Sequence, residues 1–456
     1  MRSIATIFVI ALLSAPAAMA GTTIHVGGAG SPTENGDALQ GALALARVTR
    51  AASSGPIEVK LAPGTYLLSS TLRLDVRDLS LVGSNQPAID DDGWQTSAVP
   101  GGESKITVSY TLNEAGGQIP RGGAIIRITG DGVTVDRVTV DGGWLLPNAA
   151  GDNAIDIYDV EGFTVSDSRF VGGAGFGILT NRASGRISGN FATQINVGAG
   201  IGAGPINRRS RVTIEDNRFV DNVSGGLIVN GSAPSTPDAD HSTEAEVRHN
   251  DLSGNVRTAT FSFGLRIFVI RRDPIDVPFQ DEGTIKITVS GNRIHGNEFG
   301  VLLEAGFPYR TAGPPFKPWN CDARTYTGRI HARFADNSIV GGFAPGTVPP
   351  RAYISSIITF TRGTTALFPN GRSTPLAPRE ASPGPPPVTG QGNSFKYLHK
   401  AHYVISDPGH DLAEARIDHP AVDRLAAALD PCPVVFGGTT LGNVLTINDV
   451  EIANTP

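Results

Sequence analysis

VSDSRF (165–170), ISGNF (187–191), IEDNRF (214–219), VRHNDL (247–252) and VSGNRI (289–294) are variants of one phrase. Each is a β-branched residue, two small or polar residues, Asn (Ser in the first copy) and an apolar residue after at most one further position. A second phrase alternates with it: GIL at Gly177, GIG at Gly200, GLI at Gly226, GLR at Gly264 and GVL at Gly300. Two phrases recurring in fixed order describe a stack of similar coils, each too small to bury a core alone.

Working outward, LSLVGSN (79–85) and GVTVDRVTVDGG (132–143) continue the pattern, with Val138 at the level of Ser168 and Asn190. The repeated position then runs Ser168, Asn190, Asn217, Asn250, Asn292, Asn337 and Asn393, with separations growing from 22 residues to 56. A second column, Asn222, Asn255 and Asn297, follows five residues behind the first. Stacked coils bring equivalent residues to about 4.8 Å, where Asn amides can bond to one another. Asn also tolerates the left-handed backbone of a tight corner. Both columns therefore read as scaffold.

Upstream, Leu39, Leu43 and Ala46 share one face of a helix expected over 37–52, placed to plug the end of the stack. IEVKL (57–61) alternates as a strand, with Pro63-Gly64 as its turn. Residues 1–20 carry Arg2, an apolar run over 4–13 and Ala18-Met19-Ala20, the composition of a secretory signal, although an uncleaved anchor is the alternative. The expectation is an exported, soluble chain, secreted or periplasmic, whose residues 21–456 form one domain. Residues 21–56 would be its N-terminal cap and 404–456 its C-terminal tail, with a short helix over 421–429.

The formal charge of −6 argues against nucleic acid or an anionic membrane as partner. High Gly (56) and Pro (32) beside 40% hydrophobic residues mark a turn-rich folded protein. Cys321 and Cys432 could pair in an oxidising compartment or remain two thiols.

The signal, capping helix, PGTY turn (63–66) and stacked phrases resemble the right-handed parallel β-helix of the pectate-lyase-like superfamily, over about residues 21–403. The fold class is therefore all-β. That resemblance implies a fold shared by lyases, hydrolases, esterases, epimerases and inert adhesins. The motifs of its named enzymes are missing: no NTD, DD, HG and RIK series, no WiDH, RxPxxR or vWxDH-type signature, and no DPHE phrase.

The growing spacing places insertions just after the glycine phrase, at 230–243, 268–282, 304–327 and 360–387. Four loops from one corner would wall a cleft beside the sheet. Alternation gives the outward residues of that sheet: Asp156 and Tyr158, Leu179 and Asn181, Gly202 and Gly204, Ile228 and Asn230, Arg266 and Phe268, Leu302 and Glu304, Ile358 and Phe360. The apolar members would pack beneath the loops and the polar ones line the cleft. Gly202 would leave a bare floor for a flat ligand. Arg208, Arg209, Arg211, Arg271 and Arg272, with Arg266, would bring positive charge to it, suiting a carboxylate- or sulfate-bearing ligand.

Elimination from a uronide needs the substrate carboxylate neutralised, the C5 proton removed and the leaving oxygen protonated. In lyases of the resembled fold an Arg or Lys is the base, with Ca²⁺ or Arg/Asn neutralising the carboxylate. By that resemblance Arg266 or Arg208 is the candidate base, Tyr158 the acid and Asn181 the neutraliser. Asp156, grouped with Asp152 and Asp159, supplies the carboxylates that hydrolysis would require instead. Asp159, Arg182, Gly202, Asn230, Arg209, Arg271 and Phe268 are the candidate substrate-binding residues. Asp90-Asp91-Asp92 has a composition that can bind Ca²⁺, and equally that of an exposed turn. His241, between acidic loop residues, could serve a metal or acid–base role, whereas His399, His402, His410 and His419 lack metal spacing.

The leading expectation is a polysaccharide lyase on an acidic, uronate-containing glycan, with a glycoside hydrolase second. A non-catalytic glycan-binding or surface-associated β-helix is the alternative. An enzyme on a smaller, partly apolar molecule is the third, suited by Leu179, Ile228 and Phe268.

Overall fold

The computed structural model describes residues 21–96, 102–112, 118–120, 123–142, 153–173, 175–202, 210–232, 242–255, 263–271, 284–297, 299–308, 329–340, 354–361, 394–396, 402–405, 444–447 and 450–453. The chain is a right-handed parallel β-helix, built as two compact units. The first comprises residues 1–198 with 216–218, and the second 199–215 with 219–456.

In the first unit, each coil contributes one strand to each of three parallel sheets. The first sheet joins Thr22–Val26, Ile57–Leu61, Leu79–Val82, Thr134–Asp136, Glu161–Ser166 and Ser184–Ser188. The second joins Gly64–Leu68, Ser104–Val108, Thr139–Asp141, Arg169–Val171 and Phe191–Thr193. The third joins Leu72–Leu74, Ala124–Ile128, Asn153–Tyr158 and Phe176–Asn181. Backbone donors and acceptors are satisfied by the coils before and after, which is why short strands suffice. Inward residues stack in register: Val59, Leu81, Val135, Val165 and Ile187 are consecutive and each 0% exposed. Each such side chain contributes roughly 1.5–3 kcal/mol on burial.

The helix runs over Pro32–Ala52, five residues earlier than its apolar face suggests, because Ser31 caps it. Ser31 Oγ accepts from Glu34 N and Glu34 Oε2 from Ser31 N, a capping box. Leu39, Ala42, Leu43 and Ala46 are buried. Gly36 lies so close to the strand Gly64–Leu68 that a Cβ there would meet Leu67 O at 2.0 Å.

In the second unit, Ser210–Glu215, Thr243–Arg248, Thr284–Ser290, Arg329–Ala335 and Val444–Ile447 form a parallel sheet, closed by antiparallel Val450–Ala453. Residues 444–447 and 450–453, within the expected C-terminal tail, thus join a sheet. Arg293–His295, Ser338–Val340 and Ser394–Lys396 make another. Gly225–Ser232, Phe263–Arg271, Phe299–Pro308, Ile354–Thr361 and His402–Ile405 make the third. These last strands run past the expected starts of the insertions at 230, 268, 304 and 360. The remaining insertion residues, with Cys321, Cys432, His241 and the helix expected over 421–429, lie outside the described residues.

The Asn columns bond as expected. In the first unit Asn190 Nδ2 donates to Asn217 Oδ1 at 2.9 Å. In the second, Asn250 donates to Asn292 at 3.0 Å, Asn292 to Asn337 at 2.8 Å, and Asn255 to Asn297 at 3.1 Å. The left-handed corner residue, however, is not the Asn. It is the residue before it: Asp167, Gly189, Asp216, His249, Gly291 and Asp336 all have φ between 46° and 65°. The corner turns on one residue so that the next can point its amide along the stack. Among the described residues, no helix is long and apolar enough to cross a membrane.

Candidate functional site

On the third sheet of the first unit, Ile126, Ile128, Ile155, Ile157 and Ile178 point inward and are 0% exposed. Their neighbours therefore point outward, and the pairing puts Arg127, Asp156 and Leu179 in one row and Tyr158 beside Asn181 in the next. Asp156 is outward-facing, yet its side chain is only 4% exposed. Its Oδ1 accepts from Asn153 Nδ2 at 2.6 Å and its Oδ2 from Arg127 Nη2 at 3.3 Å. Asn153 in turn accepts at Oδ1 from Phe176 N at 2.8 Å, so the carboxylate is fixed to the next coil. Burial raises the Asp156 pKa above the ordinary carboxylate value, against the lowering by Asn153 and Arg127. The Arg127 guanidinium, one third exposed, stands 5.8 Å from the centroid of the Tyr158 ring.

Arg127 and Asn153 are absent from the sequence-derived set. Arg127 was legible: Ile126-Arg127-Ile128 has the same apolar flanks as Ile155-Asp156-Ile157, one coil earlier. Asn153 had no comparable signal, since its importance is a bond to the side chain three residues on.

Asp159 and Arg182 lie just past the sheet at left-handed corners (φ 55° and 51°) and form an ion pair with each other. Asn181 is 5% exposed, and its backbone carbonyl accepts from Asp159 N at 3.0 Å.

In the second unit, Gly202 is left-handed (φ 76°), and a Cβ there would fall 2.2 Å from Asn230 O. The close approach expected of a flat ligand is made by that carbonyl. Asn230 is 6% exposed; its carbonyl accepts from Thr243 Oγ1 at 3.1 Å, and its Oδ1 has no partner. Ile228 pairs with Arg266 and Asn230 with Phe268, the register that alternation gave. The Arg266 guanidinium lies 6.0 Å from the Phe263 ring centroid. Arg271 sits at the strand end opposite Pro308. Arg208 and Arg209 lie outside the described residues. Arg211 belongs to the strand Ser210–Glu215 and pairs with Glu244 at 3.0 Å.

His295 Nε2 lies 2.9 Å from Ser338 Oγ, a spacing that suggests a nucleophile and its base. Arg293 Nε donates to His295 Nδ1 at 3.3 Å, which assigns the ring proton to Nε2 and makes Ser338 the acceptor. Burial pulls the His295 pKa down to about 4. The pair is therefore not poised for nucleophilic attack. Asp90 is committed to a turn, accepting from Trp94 N and Asp92 N. Among the described residues no group of three or more His, Cys, Asp and Glu is arranged to hold a metal.

These features define a parallel β-helix with a polar cluster on one outer face. No family model matches the chain, and no curated protein matches it. Among solved structures it is similar to DFA-IIIase from Arthrobacter chlorophenolicus A6 without its lid in complex with GF2, at 14% identity over 85% of this chain and 92% of that one, TM-score 0.44. It is also similar to the A-module of the mannuronan C-5 epimerase AlgE6 from Azotobacter vinelandii, at 15% identity over 82% and 95%, TM-score 0.35. The likeness is one of fold.

Proposed function

We propose that the protein is an exported carbohydrate-active enzyme that cleaves an acidic glycan by β-elimination, with its chemistry at Arg127, Asp156 and Tyr158. The observation that carries this reading is a nearly buried carboxylate on an outer sheet face, held by a partly exposed arginine beside a tyrosine ring. A carboxylate with a raised pKa in such a place is suited to proton transfer.

Arg127 turns from Asp156 to the uronate carboxylate and neutralises it, acidifying the C5 hydrogen. Asp156, released at Oδ2, takes that proton. The C5–H electrons form the C4=C5 bond, the C4–O bond breaks, and the leaving oxygen takes the proton of the Tyr158 hydroxyl. Asp156 then returns its proton to the phenolate through solvent. Because an arginine does the neutralising, Ca²⁺ is not required.

The test is incubation with a panel of uronate polysaccharides while the near-ultraviolet absorbance of the unsaturated product is followed. Turnover should appear on at least one, survive EDTA, and fall about 10²–10⁴-fold in Asp156→Asn and Arg127→Met. Absence of product from every uronate would sink the lyase reading. The alternative, a non-catalytic glycan-binding protein, is favoured by the fact that both Asp156 oxygens already have partners. It would be chosen by glycan retention without turnover.

A further inference from the structure

On the second sheet of the first unit, Lys105, Thr139, Arg169 and Phe191 stand in register. Val140, Phe170 and Ala192 beside them are 0% exposed and fill the core, so this column faces outward. Outward residues should meet solvent, but Thr139 is 2% exposed, Phe191 4%, and the Arg169 side chain 14%. The cover comes from residues 84–96 and from Glu103. Asn85 Nδ2 donates to Thr139 Oγ1 at 2.8 Å, and Glu103 Oε2 accepts from Thr139 Oγ1 at 2.9 Å and Arg169 Nη1 at 3.3 Å. Residues 88–96 form a hairpin closed by Thr96 N to Ala88 O and Asp90 N to Trp94 O. Arg218, whose backbone N bonds to Asn190 O, clamps it through Nη1 to Asp90 Oδ2 at 2.8 Å and to Gln95 O at 3.3 Å.

This cover leaves polar atoms unsatisfied. Gln95 is 4% exposed, and neither Nε2 nor Oε1 of its amide has a partner; Arg169 Nε is buried without one as well. The corner Asn residues, by contrast, pair their buried amides in ladders. Buried amide groups left open are costly and rare in folded proteins. The Arg169 guanidinium lies 6.0 Å from the centroid of the Phe191 ring, and Arg218, which holds Gln95 O, bonds through its backbone N to Asn190 O, next to Phe191. Open donors and an acceptor next to an aromatic face match the hydroxyls and the apolar face of a sugar ring.

We propose that the surface beneath Asn85, Glu103 and the 88–96 hairpin is a second carbohydrate-binding site, which takes a sugar residue between Phe191 and the hairpin when the Arg218–Asp90 pair releases it. It lies on a different sheet from Asp156 and does not depend on the elimination chemistry.

The experiment is calorimetric titration of the full chain with a galacturonate tetrasaccharide and with cellotetraose. It is run in an Arg127→Met background, so that sugar held beside Asp156 does not contribute. Hydrogen exchange of residues 84–96 is measured alongside. One or both sugars should bind, the active arm showing whether acidic or neutral rings are preferred. Gln95→Leu and Arg169→Met should each weaken that binding about tenfold. Arg218→Met should speed exchange in 84–96 and tighten binding. Binding by neither sugar, or binding indifferent to Gln95→Leu, overturns the proposal. Gln95→Leu replaces an unpaired amide with an apolar group of similar size and so should fold. If Arg169→Met does not fold, Gln95→Leu alone decides.

Discussion

Two sets of buried polar side chains run along the coils and are treated in opposite ways. In the corner ladder of the second unit, Asn292 is 1% exposed and fully bonded. Its Oδ1 accepts from Asn250 N and Nδ2, and its Nδ2 reaches Val247 O, Ser290 O and Asn337 Oδ1. On the third sheet of the same unit, Asn230 is 6% exposed and its Oδ1 has no partner. In the first unit Asn190 is also bonded at both ends of its amide, Oδ1 accepting from Ser168 N and Nδ2 donating to Val165 O and Asn217 Oδ1, whereas outward Asp156 is held by one amide and one arginine. Residue type and burial are alike in Asn292 and Asn230; what differs is that the ladder amide is fully bonded and the outward one is not.

The largest effect is expected at the ladder. Asn292→Ala leaves Asn250 N and Nδ2 without that acceptor and frees two carbonyls. Stability should fall by roughly 3 kcal/mol or more, read by denaturant unfolding. A loss under about 1 kcal/mol would mean that the amide ladder does not hold the coils. The second effect is at Asp156. Both oxygens of the ionised carboxylate accept, so Asp156→Asn loses one bond where Asp156 is ionised, roughly 1 kcal/mol. What identifies the carboxylate is the pH slope. Its folded pKa is raised above the unfolded value, so the folded chain binds this proton more tightly. The stability it contributes is present below the ordinary carboxylate range and is lost as pH rises through the raised pKa. Thermal midpoints of the two chains, followed from acid to neutral pH, should therefore show a shallower decline in Asp156→Asn. Parallel curves would show that Asp156 titrates as in the unfolded chain.

Much of this was readable beforehand because a repeat carries its own alignment. Counting from the glycine phrases placed Asp156 opposite Leu179, Tyr158 opposite Asn181, and Asn230 opposite Phe268, as the pairing has them. Local preference alone puts the left-handed corner at the Asn, because tolerance of that conformation is a local property. The ladder bonds that occupy the Asn are formed only with the next coil, and the residue before it takes the turn. Arg127 lies one coil before the first row counted, although Ile126-Arg127-Ile128 has the apolar flanks of Ile155-Asp156-Ile157. The spacing ends this strand at Phe268, whereas a run through Val269 and Ile270 continues the sheet to Arg271. Nothing in the chain order announces that Arg218 clamps a hairpin 128 residues away.

The smallest effect is the sharpest test of the contrast itself. Asn230→Leu keeps size and removes an amide whose oxygen already lacks a partner. The bond between Thr243 Oγ1 and the residue-230 carbonyl is untouched, since it uses backbone. Loss of an unsatisfied buried acceptor offsets whatever the amide nitrogen contributes. Stability should therefore stay within about 0.5 kcal/mol of the parent or rise slightly. Denaturant unfolding beside Asn292→Ala measures both under one condition. If Asn230→Leu costs as much as the ladder variant, incomplete bonding does not mark functional positions on this fold, and the outer sheet face is as much scaffold as the corner.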